Sequence, residues 1–349
     1  MVRRAFLTLH QWAGLTGALF LIVIAVSGSA LVFENEIDRA LNPSVSYVTP
    51  AGQPLALEAL LARFQAAYPR EQVGGVRIAE KPDQACEFSL RSRQSAMIDP
   101  YTGRVLGLRD REKSFARWVH LLHTRFVAGP IGEQVAGWLT VVMLGLALSG
   151  LVLWWPRKIV TLRLTSSGRR TNFDLHNVLG FYSSLVILAI TLSGVLIAFE
   201  GTTDPLVKKL NDTADPPAPQ STAVAGAKRI TLDEAVAIAE KALPGAFASN
   251  LNVPAGPKAA YRILKKFPED RTPAGRSRVY VDQFSGVVLL VDNTRTAPLG
   301  TRILNLKRSV HTGDIFGAPT QALYFLVSAG IALQTITGVL IWWGTRRRR

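Results

Sequence analysis

The sequence predicts an α-helical membrane protein, with four transmembrane helices arranged as an internal duplication and two small α+β domains outside the membrane. Four apolar stretches predict the helices, near residues 12–33, 134–155, 177–199 and 320–343. Each reaches the roughly 20 residues needed to cross a hydrocarbon core of about 30 Å. The segments that follow the first and third stretches have the mixed composition of soluble domains, which predicts the outer domains.

Four of the five histidines reveal the duplication. His10 and His176 each stand 17 residues before a Ser-Gly pair, and His123 and His311 each stand 26 residues before a Ser-Gly or Thr-Gly pair. These pairs are Ser27-Gly28, Ser193-Gly194, Ser149-Gly150 and Thr337-Gly338. Neither match needs a gap, so the unit of helix, domain and helix was built twice. We expect a pseudo-two-fold axis between the halves.

Basic residues predict the orientation in the membrane. Residues 1–11, 156–176 and 344–349 together hold 11 Lys or Arg and one acid, Asp174. Because loops rich in Lys and Arg stay in the cytoplasm, we expect both termini to be cytoplasmic. The net charge of +15 therefore reflects topology and gives no support for nucleic-acid binding.

A signal peptide is the alternative interpretation of residues 1–33, because two arginines precede the first apolar stretch. That stretch is longer than the apolar region of a signal peptide and lacks a small-residue cleavage site. The stretch at 177–199 also repeats it. We expect an uncleaved transmembrane anchor.

These segments predict the following organisation. We expect the N-terminus and first transmembrane helix in 1–33, the first outer domain in 34–115, an interfacial helix and the second transmembrane helix in 116–155, a cytoplasmic loop in 156–176, the third transmembrane helix in 177–199, the second outer domain in 200–310, and the fourth transmembrane helix with a basic tail in 311–349. Residues 99–103 and 282–286 are equivalent hairpin turns that end in glycine. Thr231 predicts a helix cap, and residues 211–228, rich in Pro and Ala, predict a linker.

The duplicated histidines are the candidate functional residues. A histidine at a membrane span is by default a functional hypothesis, although an interfacial one can be a hydrogen-bonded anchor. Two symmetry-related imidazoles supply the two axial nitrogens of haem iron. We therefore expect one haem between His10 and His176 at the cytoplasmic face and a second between His123 and His311 at the outer face. Without a Cys-x-x-Cys-His motif, both haems would be of the b type. This arrangement predicts electron transfer across the membrane.

His120 competes with His123 as a ligand. Their spacing places both on adjacent turns of a helix and could also suit zinc. The repeat favours His123, because only His123 aligns with His311. His120 remains an alternative ligand, a donor near the site, or part of an interfacial helix with Trp118 and Phe126.

Haem propionates need cationic partners near the membrane faces. The candidates are Arg3, Arg4, Arg169 and Arg170 inside, and Arg125, Arg302, Lys307 and Arg308 outside. Small residues on the helices would leave room for flat macrocycles, namely Gly14, Gly17, Gly28, Ala147, Gly150, Gly180, Gly194 and Gly338.

Motifs spread over almost the whole chain resemble those of the PepSY-associated transmembrane family. They are Leu-His at the start of helices one and three, a histidine before helices two and four, and Asp-Pro-Tyr-Thr-Gly-Arg-Val-Leu at 99–106. The layout is similar to the FoxB-type ferric-siderophore reductases of the bacterial inner membrane. Gln283 stands where the first domain has Pro100, so the repeat is looser there.

The resemblance implies two periplasmic PepSY-like domains and the reduction of a periplasmic Fe(III) chelate, such as a ferric siderophore, to release Fe(II) in iron uptake. It implies an oxidoreductase supplied by an unidentified cytoplasmic or membrane electron donor.

Two other functions stay open. The chain could be a membrane-anchored sensory or inhibitory protein without haem, with the histidines as interfacial hydrogen-bonding groups. A transporter ranks last, because no Asp, Glu, Lys or Arg in the apolar stretches marks a path. Flavin, nucleotide and hydrolytic chemistry lack their motifs, and we assign the lone Cys86 to packing.

Overall fold

The computed structural model describes residues 1–163, 167–213, 217, 219–222 and 226–346. The first half contains α1 (Val2–Leu31), α2 (Glu34–Leu41), α3 (Pro43–Ser46), α4 (Leu57–Ala67), β1 (Val73–Arg77), β2 (Cys86–Leu90), β3 (Gln94–Ile98), β4 (Val105–Asp110), α5 (Phe115–Arg125) and α6 (Gly129–Trp154). The second half contains α7 (Gly168–Ala198), α8 (Glu200–Leu210), α9 (Leu232–Ala242), β5 (Phe247–Asn252), β6 (Tyr261–Lys266), β7 (Ser277–Val281), β8 (Val288–Asp292), α10 (Leu299–Thr312) and α11 (Ala318–Arg346). Much of the predicted linker at 211–228, and the arginines at 347–349, lie outside the described residues.

The chain forms two compact units. The first comprises Met1–Glu34, Ala116–Val207 and Leu306–Arg349, and the second comprises Asn35–Phe115 and Lys208–Asn305. The first unit contains α1, α6, α7 and α11, which are long and apolar enough to cross a membrane. This confirms the predicted helical membrane protein.

The four long helices form an antiparallel bundle. α1 packs against α6 and α11, and α7 packs against the same two helices. Ala25, Ile187 and Val327 belong to a small buried cluster between them, whereas side chains such as Leu185, 77% exposed, point outward as expected for contact with lipid. We call the end with the start of α1 and the end of α11 the terminus end, and the opposite end the far end.

The helix boundaries differ from the predicted segments at two places. α7 begins at Gly168, so the loop after α6 is shorter than 156–176 and His176 lies within the helix. Arg170 and Asp174 form an ion pair of 3.0 Å one turn apart, which stabilises the first turns of α7. Because these turns are polar, they lie outside the apolar stretch that predicts the helix. His311 lies in α10, and the fourth spanning helix begins later, at Ala318.

The second unit is built on one eight-stranded antiparallel sheet with the strand order β4-β3-β2-β1-β5-β6-β7-β8. Each half of the chain contributes a four-stranded meander, and β1 pairs with β5, placing Val76 opposite Leu251. The two segments that we expected to be separate domains therefore share one sheet and one core. Pairing removes two edges that would otherwise expose unpaired backbone groups.

Helices α4 and α9, which pack on this sheet, cap each other's first turns. The Asp233 carboxylate accepts hydrogen bonds of 2.9 Å from the backbone nitrogens of Leu57 and Glu58 at the start of α4. In return, Glu58 accepts one of 3.0 Å from the backbone nitrogen of Leu232 at the start of α9. Thr231 forms the predicted cap with Glu234. Each acid thus satisfies orphan donors at the positive end of the other helix.

The two predicted glycine turns are confirmed, with φ of 69° at Gly103 and 72° at Gly286. In the second turn the Asp282 carboxylate accepts hydrogen bonds from the backbone nitrogens of Ser285 (2.8 Å), Phe284 (2.9 Å) and Thr222 (2.9 Å). Burial by itself raises the pKa of Asp282, but these bonds outweigh burial and lower the pKa to about 2.

The low pKa of Asp282 predicts a pH dependence of stability. Because the folded pKa lies below the ordinary value of 3.8, the stabilisation is present above about pH 4 and is lost as the pH falls toward 2. We expect Asp282→Ala to lower the unfolding temperature at neutral pH and to flatten its decline in acid. Thermal unfolding of the full chain in detergent measures both effects. Asp83→Ala, which changes an exposed carboxyl, should keep the wild-type profile, and an unchanged profile for Asp282→Ala would refute the prediction.

Candidate functional site

Two histidines meet at the far end of the bundle. His123 lies on α5 and His311 lies on α10. Their ring centroids are 6.2 Å apart, and the ring planes are inclined by 52°. The structure therefore brings together the two histidines that the sequence pairs at the outer face.

A short segment of α1 holds His123 in place. The Nδ1 of His123 donates to the carbonyl oxygen of Ile24 at 3.0 Å, and the Ser27 hydroxyl lies 3.3 Å from the same nitrogen. A Cβ added to Gly28 would stand 2.9 Å from Cε1 of the ring. The close approach of this ring to the helix backbone thus requires glycine at position 28.

His311 has the same support on α7. Its Nδ1 donates to the carbonyl oxygen of Ile190 at 2.9 Å and lies 3.4 Å from the Ser193 hydroxyl. A Cβ on Gly194 would stand 3.1 Å from its Cε1. We call this combination of a carbonyl, a hydroxyl three residues later and the following glycine a histidine seat.

Both histidines at the terminus end also occupy seats. The Ser149 hydroxyl donates to the Gly145 carbonyl at 2.7 Å, so it accepts from His10 Nδ1 at 2.8 Å. The Nδ1 of His176 donates to the carbonyl oxygen of Gln334 and lies equally near the Thr337 hydroxyl, both at 3.0 Å. Gly150 and Gly338 face the respective rings. His10 and His176 are electrostatic neighbours.

These bonds fix the tautomer of the rings. A carbonyl oxygen can only accept, so Nδ1 carries the proton and Nε2 keeps a free lone pair. Within the described parts of the chain, no hydrogen bond reaches the Nε2 of His10, His123, His176 or His311. Each ring is half-buried.

Electrostatics at the far end favour the neutral rings. Burial lowers the pKa of His123 to about 4, and the nearby His311 lowers it as well. Burial also lowers the pKa of His311. Both imidazoles are therefore uncharged at neutral pH, which is the form that binds a metal.

The pair at the far end fits a metal that needs two axial nitrogens. Imidazole nitrogen binds a first-row metal at about 2 Å, so two rings on opposite sides of one ion have centroids roughly 6 Å apart. The observed separation of 6.2 Å agrees. No group of three or more His, Cys, Asp or Glu side chains that could hold a metal occurs among the described residues. Two protein nitrogens suit an ion whose remaining ligands come from a macrocycle, as in haem.

His120 is not part of a comparable pair. It lies one turn from His123 on α5 and is half-buried. Burial lowers the pKa of His120, and the positive charges of Arg308, Arg117 and Arg125 lower it too, against the effect of Glu34. The zinc interpretation lacks a third ligand in the described part of the structure.

The outer candidates for binding haem propionates differ in their surroundings in the structure. The charge of Arg308 acts on both His120 and His311, so Arg308 is an outer candidate beside the pair. Arg125 is in an ion pair with Glu133 (3.2 Å), and Lys307 is held between Glu200 and Asp204. Arg302 belongs to the second unit.

The inner candidates also differ in their surroundings. Arg3 and Arg4 are exposed on the first turn of α1. Arg170 is in an ion pair with Asp174, and Arg169 approaches Gly344 at the end of α11.

The Ser-Gly and Thr-Gly pairs mark the repeat in the sequence, but their spacing does not predict that they hold the histidine rings. The offsets join His10 to Ser27, whereas in the structure His10 contacts Ser149 and Ser27 lies beside His123. Constant spacing was a signal that these pairs matter, but it does not say which histidine each one meets. Gln334, whose carbonyl holds His176, had no signal in the sequence.

Comparison with known proteins bears on this site, because all four histidines lie within one family match. A family model described as the PepSY-associated TM region matches residues 7–345. The chain belongs to this family. Comparison with curated proteins gives no match. Membership of the PepSY-associated family agrees with the spanning helices of the first unit.

The seats of this PepSY-associated protein predict opposite effects for two glycine substitutions in the spanning helices. Gly28→Ala should lower the unfolding temperature, because the new Cβ would push the His123 ring off the Ile24 carbonyl. Gly145→Ala on α6 should raise it, since no atom lies within 4 Å of the added Cβ and alanine favours a helix interior by up to about 1 kcal/mol. Thermal unfolding in detergent compares them. Equal shifts for the two variants would contradict the seat at Gly28.

Proposed function

We propose that this protein binds two b-type haems, one between His10 and His176 and one between His123 and His311. It would carry electrons across a bacterial inner membrane to an Fe(III) chelate in the periplasm, such as a ferric siderophore. The observation that carries the proposal is the set of four seated imidazoles with open Nε2 atoms. Bound haem would supply one-electron redox chemistry at both faces of the bundle.

The chain's own residues would prepare each binding place. The seats hold Nδ1 as the donor and leave Nε2 as the ligand atom, and a carbonyl partner also raises the basicity of the ligand. Glycines at the seats let the rings approach the helices closely. Arg308 beside the far pair, and Arg3, Arg4 or Arg169 at the terminus end, are our candidates for binding propionate carboxylates.

The basic segments support the orientation in this proposal. Arg157, Lys158, Arg169 and Arg170 lie between α6 and α7 or on the first turn of α7, and Arg3 and Arg4 lie at the start of α1. By the positive-inside rule, the terminus end faces the cytoplasm. The second unit, with one segment from each half, would then be periplasmic.

We also propose that the chain arose by internal duplication. Each half has the order of spanning helix, helix with four-stranded meander, short histidine helix and spanning helix. The four seats follow the same symmetry, because His10 and His176 use α6 and α11, while His123 and His311 use α1 and α7.

The acceptor is the part of the proposal that comes from the family resemblance. One electron from a cytoplasmic or membrane donor would convert Fe(III) to Fe(II), and the donor would be oxidised by one electron. Hard oxygen ligands hold Fe(III) better than Fe(II), so the chelate would release its metal without a break in any covalent bond of the ligand.

Haem content of histidine variants tests the two sites. We expect two haems per wild-type chain, and one in His10→Ala, His176→Ala, His123→Ala or His311→Ala, since each change removes one axial ligand. A pyridine haemochrome assay on detergent-purified protein measures the ratio.

His120→Ala is the matched control and should keep two haems. Loss of a haem in this variant would move the ligand role to His120. If all four variants kept two haems, the pairing would be wrong. A wild-type protein without a Soret band after haem-sufficient expression would favour the membrane-anchored sensory or inhibitory protein instead.

Electron transfer itself is tested in vesicles. Proteoliposomes loaded with dithionite should reduce an external iron(III) hydroxamate complex, with Fe(II) detected by a colorimetric chelator. His123→Ala should lower the rate to that of empty vesicles, because one site of the path is lost. Reduction at the wild-type rate by this variant would show that the path does not use the far site.

A further inference from the structure

A basic cavity lies at the terminus end of the bundle, apart from the histidine seats. Its volume is about 620 Å³, and its walls come from the chain after α6 and the first turns of α7. The charged side chains in its walls are Arg157, Lys158, Arg163, Arg170 and Asp174. A cavity of this size can take a small ligand or the headgroup of a lipid.

The cavity keeps an excess of positive charge. Asp174 is its one acid among the described residues, and the side chain of Asp174 is 1% exposed. Arg170 Nε lies 3.0 Å from Asp174 Oδ1 and donates to Oδ2 at 3.2 Å. Since this pair is internally neutral, Arg157, Lys158 and Arg163 remain to attract an anion.

Aromatic contacts hold the wall in shape without a ligand. The Arg157 guanidinium lies over the ring of Phe173 at 5.4 Å, and the Lys158 ammonium lies over Trp155 at 4.8 Å. Trp154 stacks on Phe181 at 4.0 Å and donates to the carbonyl oxygen of Ile159 at 2.8 Å. Two of the three remaining cations, Arg157 and Lys158, are therefore held in place before a ligand binds, which lowers the entropy cost of binding.

A buried carboxylate oxygen of Asp174 lacks a well-aligned hydrogen-bond donor. Oδ1 of Asp174 is fully buried, and although Arg170 Nε lies 3.0 Å away, this oxygen accepts no well-aligned hydrogen bond from any described residue. Buried carboxylate oxygens normally have a donor. Asp174 lines the cavity that the cations share, where the hydroxyl group of a ligand could supply a second donor to this carboxylate.

The position of the cavity, beside the end of a spanning helix, favours a lipid as the ligand. Trp154 and Trp155 end the spanning helix α6, and Trp155 is 66% exposed, as in an aromatic belt at lipid headgroups. Apolar side chains such as Val152 on α6 and Leu185 on α7 are exposed on the spanning helices, as expected for contact with lipid. A phosphate in this cavity can thus come from a molecule whose acyl chains lie along the bundle.

We propose that this cavity binds the headgroup of an anionic phospholipid that carries hydroxyl groups, such as phosphatidylglycerol. Arg157, Lys158 and Arg163 contact the phosphate, and a headgroup hydroxyl donates to Asp174. Basic pockets between spanning helices at this level bind such headgroups. The proposal does not depend on haem.

The test compares lipid binding by the full-length protein and by charge variants. Native mass spectrometry in detergent should show retained phosphatidylglycerol in preference to phosphatidylcholine. Arg163→Gln and Arg157→Gln should each weaken the preference roughly fivefold, and the double variant should lose most of it. Arg346→Gln is the matched control, because Arg346 lies over Trp342 at 4.7 Å at the same end but does not line the cavity.

Other outcomes would overturn the proposal. Equal retention of the two lipids, or an unchanged preference in the double variant, would remove the lipid site. If inorganic phosphate or a soluble nucleotide protected the protein from thermal unfolding in a way that depends on Arg163 while phosphatidylglycerol did not, the ligand would be soluble instead. Circular dichroism of each variant verifies folding, and Arg157→Lys, which keeps the charge, should retain the preference.

Discussion

The first unit depends on one repeated interaction, in which histidine Nδ1 donates a hydrogen bond to a carbonyl or hydroxyl oxygen near a glycine. The bond gives the imidazole a defined tautomer and orientation, and the glycine lets the ring lie against a helix backbone. Both are needed, because a Cβ at position 28 or 194 would stand within about 3 Å of the ring. The open Nε2 atoms, and any chemistry they support, follow from this constraint.

The same interaction holds the bundle together. Each seat belongs to a different helix from its histidine, so His10 ties α1 to α6, His123 ties α5 to α1, His176 ties α7 to α11, and His311 ties α10 to α7. Within a bilayer the hydrophobic effect does not drive helices together, and packing of small residues with polar bonds takes its place. The orientation of the histidine rings and the association of the helices therefore depend on the same residues.

In the second unit, the two halves of the chain complete each other's hydrogen bonds. Two meanders of four strands would each leave an exposed edge at β1 or β5, and joining them buries both edges in one sheet. Asp233 and Glu58 then cap each other's helices, so neither half completes its backbone hydrogen bonds alone. The unit is consequently a joint product of both halves of the chain.

Local sequence determined the four spanning helices, because the length of an apolar run sets whether it can cross a bilayer. It also determined the two glycine turns, because their positive φ angles favour glycine. It also selected the four histidines through their repeated offsets. Tertiary structure alone decided which seat each histidine occupies and that the two outer segments share a sheet. His123 and Ile24 are 99 residues apart, and His176 and Gln334 are 158 apart. Such partners are chosen by the packing of helices and strand edges, which periodicity along one segment does not encode.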